Sequence, residues 1–170
     1  MKLLIILIGC LTLAACANKT FKDQFEDEKT WVERATQLPP YPDTSNLLEF
    51  DAGGAITGNQ YLIDPASINV GKDGVIRFSL VVKSSSGALN ISYEGIRCAT
   101  TERKLYALGR NDKTWAEPRV SEWEKLTYVR QFYAQRELAK NIFCPNRQMV
   151  RNSEEAIRAL KAGFHSSMPR

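Results

Sequence analysis

Five side chains in the middle of the 170-residue chain bring polar chemistry close together: Tyr93, Glu94, Arg97, Tyr106 and Trp115. A carboxylate, a guanidinium and aromatic rings with polar edges are groups that can hold a polar ligand. The structural alternative is ion pairing among Glu94, Arg97 and Arg103, with Tyr93 and Tyr106 as half-buried sheet residues. Acid–base hydrolysis of a glycoside needs two carboxylates at a fixed separation. Asp64 and Asp73 are the acids to set beside Glu94. Asp73, however, lies in the turn signal Gly71-Lys72-Asp73-Gly74, where Asp serves local hydrogen bonding, and Asp64 precedes Pro65 at a strand end. The single histidine, His165, stands five residues from the C-terminus beside Ser166 and Ser167. A Ser–His mechanism needs a rigid frame and an orienting acid, and the sequence predicts only a solvated tail there. Phosphate loops, dinucleotide fingerprints, zinc-ligand spacings and nucleophile elbows do not occur. The reading therefore calls for no cofactor and no metal.

The cysteines carry a different kind of chemistry. Lys2 is followed by the apolar run Leu3–Leu13, 11 residues long, whereas a helix needs about 20 to span a bilayer. A positive start, a short apolar middle and small residues before a cut site are the features of an export signal. Leu13-Ala14-Ala15-Cys16 resembles the lipobox of bacterial lipoproteins. That resemblance implies a signal peptide over 1–15, cleavage before Cys16, diacylation of its thiol and acylation of the new amine. Leu7-Ile8-Gly9-Cys10 fits the same loose pattern but leaves about six apolar residues, short of the usual core. Stable anchoring takes two lipid signals, so acyl chains on Cys16 make the membrane a lasting partner. Ala17 in place of Asp after the acylated cysteine implies the outer membrane, facing the periplasm.

Cys98 and Cys144 remain. An even pair in an oxidising compartment reads as a disulfide, here closing a loop of 46 residues. Such a loop is worth about 4 kcal/mol in the chain-entropy model. A Cys-x-x-Cys redox motif is absent.

The elements that must position these groups follow from hydrophobic period. Residues 16–37 read as a polar tether or short helix, with Phe21, Phe25 and Val32 loosely on one face. Leu38-Pro39-Pro40-Tyr41-Pro42 cannot be helix interior or central strand, since proline lacks the amide donor, and reads as a stiff extended segment. Leu47–Asp51, Tyr61–Asp64 and Ser67–Val70 read as strands, the first two flanking Gly53-Gly54. Val75–Lys83 follows, with Ile76, Phe78, Leu80 and Val82 on one face and Arg77, Ser79 and Lys83 on the other. Leu89, Ile91 and Tyr93 share a parity that Ile96 and Cys98 break, which places a β-bulge at Gly95. Lys104–Gly109 is the next strand. The period then becomes helical, from Trp123 through Leu126, Val129, Phe132 and Tyr133 to Phe143, with Pro145 as the stop. A second helix begins at Asn152-Ser153-Glu154-Glu155 and ends at Gly163. Strands first and helices last predict an α+β fold: an antiparallel β-meander with C-terminal helices on one face, stapled by one disulfide.

Tyr41-Pro42, the Gly71–Arg77 turn and strand, Ser86–Asn90, Tyr93-Glu94-Gly95-Ile96-Arg97-Cys98, Tyr106, Gly109, Trp115 and Cys144 together resemble the CNP-one-like family. Its members are small exported proteobacterial proteins without assigned chemistry, so the resemblance implies export and an α+β domain over 38–145, but no mechanism. The segment 146–170, a helix and tail, looks less shared.

Composition closes off other classes. At 44% hydrophobic and 25% charged residues, the chain is globular, neither low-complexity nor mostly disordered. A single apolar run excludes a polytopic membrane protein. Residues 1–96 carry 8 basic and 11 acidic groups, net −3, whereas residues 97–170 carry 15 and 8, net +7. A basic half can steer contacts with anionic envelope polymers; nucleic acid is not expected in that compartment. The sequence thus predicts a membrane-anchored, non-enzymatic module for an envelope protein or glycan. The alternatives are an envelope hydrolase built on carboxylates near Glu94, and a carrier of a small ligand in a sheet–helix cleft. Replacing the anchor thiol tests the address: Cys16→Ser should abolish metabolic labelling with a fatty-acid analogue and release the protein from the membrane fraction.

Overall fold

The computed structural model describes residues 31–52, 58–127 and 130–168. The predicted signal peptide, Cys16, Phe21, Phe25, Gly53-Gly54 and Val129 lie outside the described residues. The chain divides into Met1–Val32 and Glu33–Arg170, and the second unit contains every element named below.

The antiparallel meander is present, with two short strands, β6 and β7, that the sequence reading lacks. Strands β1 (Leu48–Phe50), β2 (Gln60–Val70), β3 (Val75–Lys83), β4 (Leu89–Arg97), β5 (Glu102–Gly109) and β6 (Trp115–Ala116) lie side by side in chain order. All pairs are antiparallel, and β7 (Glu124–Lys125) joins the edge of β5. The two strands read around Pro65 are one strand, β2. Between Asp64↔Ser79 and Asn69↔Arg77, four residues of β2 oppose one of β3. Proline cannot donate to a ladder, and a side chain supplies the lost partner: the Ser67 hydroxyl accepts from the Ser79 amide at 2.7 Å and donates to the Asp64 carbonyl at 2.7 Å.

Helical structure starts later than Trp123. The aromatic spacing from Trp123 to Leu126 belongs to β7 and the loop after it. A 3₁₀ turn at Arg130–Phe132 leads into α1, α-helical over Tyr133–Glu137 and π-helical over Leu138–Phe143. Helix α2 (Ser153–Ala162) has the ends read from sequence. The Asn152 side chain accepts from the Glu155 amide, and Gly163 closes the helix in the left-handed region at φ 78°. Both helices pack on one face of the sheet. Ile76, Phe78 and Leu80 from β3 and Ile96 from β4 meet Leu138, Ile142, Phe143, Ala156 and Leu160 in one core, with the Phe78 and Phe143 rings 5.2 Å apart. Burial of each isoleucine, leucine or phenylalanine among them is worth roughly 1.5–3 kcal/mol. The Cys98–Cys144 disulfide, with Cα atoms 5.3 Å apart, ties the end of β4 to the end of α1.

The other face is not open to water. Val75 through Val81 are buried on both sides of β3, so Arg77 and Ser79 do not form the solvated face expected of them. The chain from Glu33 to Tyr41 crosses that face as an extended strap. Its first residues, assigned by sequence to the tether, belong to the compact body. The parity break in β4 also has a different origin. Pairing of β3 with β4 is continuous from Val75↔Arg97 to Lys83↔Leu89. The extra residue is Tyr106 on β5, between Tyr93↔Ala107 and Glu94↔Leu105. Gly95 is there because the Tyr106 side chain lies across it: a Cβ would meet ring atom Cε2 at 2.7 Å, the hydroxyl at 2.9 Å and Val75 Cγ1 at 3.0 Å. Gly95→Ala should therefore destabilise the domain by about 1–3 kcal/mol, the usual cost of overpacking, read as a lower urea midpoint with the m-value unchanged.

Candidate functional site

Alternation along β4 separates the five side chains singled out by sequence. Tyr93 and Arg97 share the strap face with Gly95, while Glu94 opposes Phe78 on the helix face. Arg97 pairs at 3.9 Å with Glu102, its cross-strand neighbour on β5.

Tyr93, Tyr106 and Trp115 form a clamp on the strap. Glu33 is the hub: it accepts from the Tyr106 hydroxyl at 2.7 Å, from Lys104 Nζ at 2.8 Å and from Trp123 Nε1 at 3.1 Å. Burial pushes the Glu33 carboxyl upward, but those three hydrogen bonds outweigh it and hold the group below its ordinary value. The Tyr106 phenol is driven well above its ordinary value, first by burial and then by its bond to Glu33. It is a fixed donor at neutral pH. Arg77 donates to Asp73 at 2.7 and 3.3 Å, to Thr36 Oγ1 at 3.0 Å and to the Arg34 carbonyl at 3.3 Å. Trp115 Nε1 holds the Pro39 carbonyl at 2.9 Å, and its ring lies 5.3 Å from Tyr41 and 6.2 Å from Tyr93. A 500 Å³ recess opens under the strap, but its buried cation, Arg77, is already neutralised by Asp73. The polar edges of Tyr106 and Trp115 bind the chain's own strap.

The helix face carries the better candidate. Glu94, 4% exposed, sits in a 330 Å³ cleft between β3–β5 and the start of α1. It accepts from Ser92 Oγ at 2.7 Å and from Gln135 Nε2 at 2.9 and 3.2 Å. Arg103 lies 3.8 Å from Glu94 and 2.9 Å from Glu124, its guanidinium carbon 4.5 Å over the Phe132 ring. Leu80, Val82, Leu105 and Leu108 complete an apolar lining. Arg103 Nε and Gln135 Oε1 are buried without a hydrogen-bond partner. This is a small concave site, largely apolar, with a few convergent polar groups. Asp64 cannot serve as the second carboxylate, because it pairs with Ser79 on the opposite face. Sequence reading missed Arg103 as a site residue and Gln135 altogether. The available signal was a polar residue in the apolar stripe Phe132, Gln135, Leu138, Ile142. Among the described residues, no group of three His, Cys, Asp or Glu side chains could hold a metal.

A model of the CNP1-like family matches residues 26–161. The chain belongs to the CNP1-like family. The match reaches past the 38–145 read from sequence and takes in the strap and most of α2. The chain is also similar to "Cryptic neisserial protein 1" of Neisseria gonorrhoeae (strain ATCC 700825 / FA 1090), 31% identical over 112 residues. That alignment covers 58% of this chain and 55% of the relative, so the chain matches about half of that protein's length. No solved structure matches.

In this CNP1-like chain the histidine is not a solvated tail. His165 is 8% exposed; Nε2 lies 3.1 Å from Glu155 Oε1 and Nδ1 lies 2.8 Å from Ser167 Oγ. The orienting acid that the sequence reading lacks comes from α2. The Ser167 amide also donates to Nδ1, at 3.1 Å, so the lone pair a general base needs is already shared with the backbone. The arrangement fastens the C-terminal turn to α2. Hydrogen bonds from the Arg151 side chain and amide, with a further one from His165, hold the Glu155 carboxyl at about 2 against an ordinary 4.5. A carboxyl whose pKa falls on folding gives stability that is complete above the unfolded value and lost as pH falls through the folded one. Thermal stability should therefore decline between about pH 5 and pH 2, and Glu155→Gln should flatten that part of the profile while lowering stability at pH 7.

Proposed function

We propose that this protein is a lipid-anchored module of the bacterial envelope that binds a hydroxyl-rich partner, an envelope glycan, through the Glu94 cleft without turning it over. Acylation at Cys16 tethers it, by the lipobox reading, to the outer membrane facing the periplasm. The observation that carries the binding role is the convergence of Glu94, Arg103 and Gln135 on one cleft. A carboxylate, a guanidinium and an amide offer both acceptors and donors, which is what sugar hydroxyls need, and the leucines suit the apolar face of a pyranose ring. Arg103 Nε has a donor to give and Gln135 Oε1 an acceptor to fill, and a hydroxyl carries both complementary functions. The hydrolase reading has lost its Asp64 partner to the other side of the sheet.

Soluble peptidoglycan disaccharide fragments are the probe. Titration calorimetry with the purified chain should show saturable binding, weakened about tenfold or more by Glu94→Gln or Arg103→Ala, as expected when a buried polar contact is lost. Product analysis should show the fragments intact. Release of cleaved sugar by wild type, abolished in Glu94→Gln, would make the cleft an active site instead. Absence of binding would sink the glycan reading.

A further inference from the structure

On the far side of α1 from the Glu94 cleft lies a larger cavity, about 600 Å³, that the binding reading does not use. Its wall is apolar: the Cys98–Cys144 disulfide, Ala52, Leu126, Ala139 and Met168. Its rim is cationic, from Arg136, Lys140 and Arg147, with Glu137 the single acid among the lining residues. The Glu137 carboxylate is already engaged by Asn141 Nδ2 one helical turn on. Arg136 stacks on Tyr133, its guanidinium carbon 5.6 Å from the ring centroid. Lys140 and Arg147 are exposed, and they extend the positive balance of the C-terminal half.

The backbone around this cavity is held in costly conformations. Among the described residues four non-glycine positions have positive φ, and three of them line it: Thr101 at 54°, Asn146 at 54° and Arg147 at 62°. Such conformations are unfavourable for a side-chain-bearing residue and persist only where surrounding structure holds them. Asn146 and Arg147 lie in the Pro145–Arg147 turn that directly follows Cys144 of the disulfide, and Arg147 is exposed among the lining residues.

An apolar wall beneath a cationic rim selects a molecule with the opposite arrangement. From this geometry we infer that the cavity binds a small amphiphilic anion, with its phosphate or carboxylate on Lys140, Arg147 and Arg136 and its hydrocarbon part against the disulfide wall. The volume falls within the usual range for small-molecule sites, and the exposed Lys140 and Arg147 attract an anion electrostatically. This site does not depend on the Glu94 cleft or on acylation of Cys16.

Octyl phosphate below its micellar concentration is the probe for the shared chemistry, with inorganic phosphate and octanol as its two halves. Titration of the full purified chain should show octyl phosphate binding at least about tenfold more tightly than either half. The double variant Lys140→Gln with Arg147→Gln should lose about tenfold or more of that affinity and become less sensitive to salt. Its unfolding midpoint should stay at the wild-type value, since both side chains are exposed and neither makes a hydrogen bond or ion pair with another side chain among the described residues. Octyl carboxylate in place of the phosphate distinguishes a general anion site from a phosphate-selective one, and binding of either supports the inference. Equal binding of octyl phosphate and inorganic phosphate, equal binding of octyl phosphate and octanol, or full affinity in the double variant would overturn it.

Discussion

A guanidinium buried in the middle of a sheet has to be neutralised where it lies. Arg77 is 4% exposed, the third residue of β3, and the rest of the strap face is arranged around that fact. Asp73, four residues earlier in the turn before β3, supplies the opposing charge at 2.7 Å. Burial acts to raise the Asp73 carboxyl, yet the hydrogen bonds from Arg77 and the Arg34 amide more than reverse it. Two charges taken out of water gain little net stability, but leaving one of them alone there costs about 3–5 kcal/mol. The remaining guanidinium donors find Thr36 and the Arg34 carbonyl, both on the strap, so satisfying Arg77 also fixes the strap's path. Glu33 then gathers Lys104, Tyr106 and Trp123, and Trp115 catches Pro39. The entry segment thus becomes the second layer over a sheet that would otherwise have one wet face.

This division of labour leaves the two faces with different tasks. On the strap face the polar side chains are consumed by one another, and the aromatic rings from Tyr41 to Trp123 serve as packing. On the helix face the apolar core is interrupted at two places beside α1. One is the cleft where Glu94, Arg103 and Gln135 converge. The other is the cavity that the disulfide walls on one side. Neither place has its polar groups fully matched from within the fold, in contrast to the strap clamp. Binding capacity therefore sits where helix meets sheet, on either flank of the same short helix.

The fold class was legible because period and punctuation are local. Ile76, Phe78, Leu80 and Val82 alternate as a strand must, Gly71-Lys72-Asp73-Gly74 and Ser84–Gly87 turn as predicted, and Asn152 with Glu155 starts a helix where the pattern says it starts. Turn signals this close leave little choice but neighbouring antiparallel strands. The helix read from Trp123 failed for a related reason: two aromatic and aliphatic residues at helical spacing are also compatible with an edge strand and a loop, and only the pairing of Glu124 and Lys125 with β5 separates the two. Gly95 was noticed for its residue type and misread as a bulge, since its cause is a tyrosine eleven residues away in sequence.

By itself the sequence determined the fold class, the order of the long strands and of the two helices, the pairing of Cys98 with Cys144 and membership of the family, because each depends on residue type at short spacing or on a motif. Tertiary structure alone decided which face each polar residue occupies and what covers it. Strand parity sends Glu94 and Asp64 to opposite sides, the returning strap buries Arg77, and α2 brings Glu155 to His165. Such meetings join residues 10 to 90 positions apart, and no local pattern encodes a contact whose partner is set by how separate layers stack.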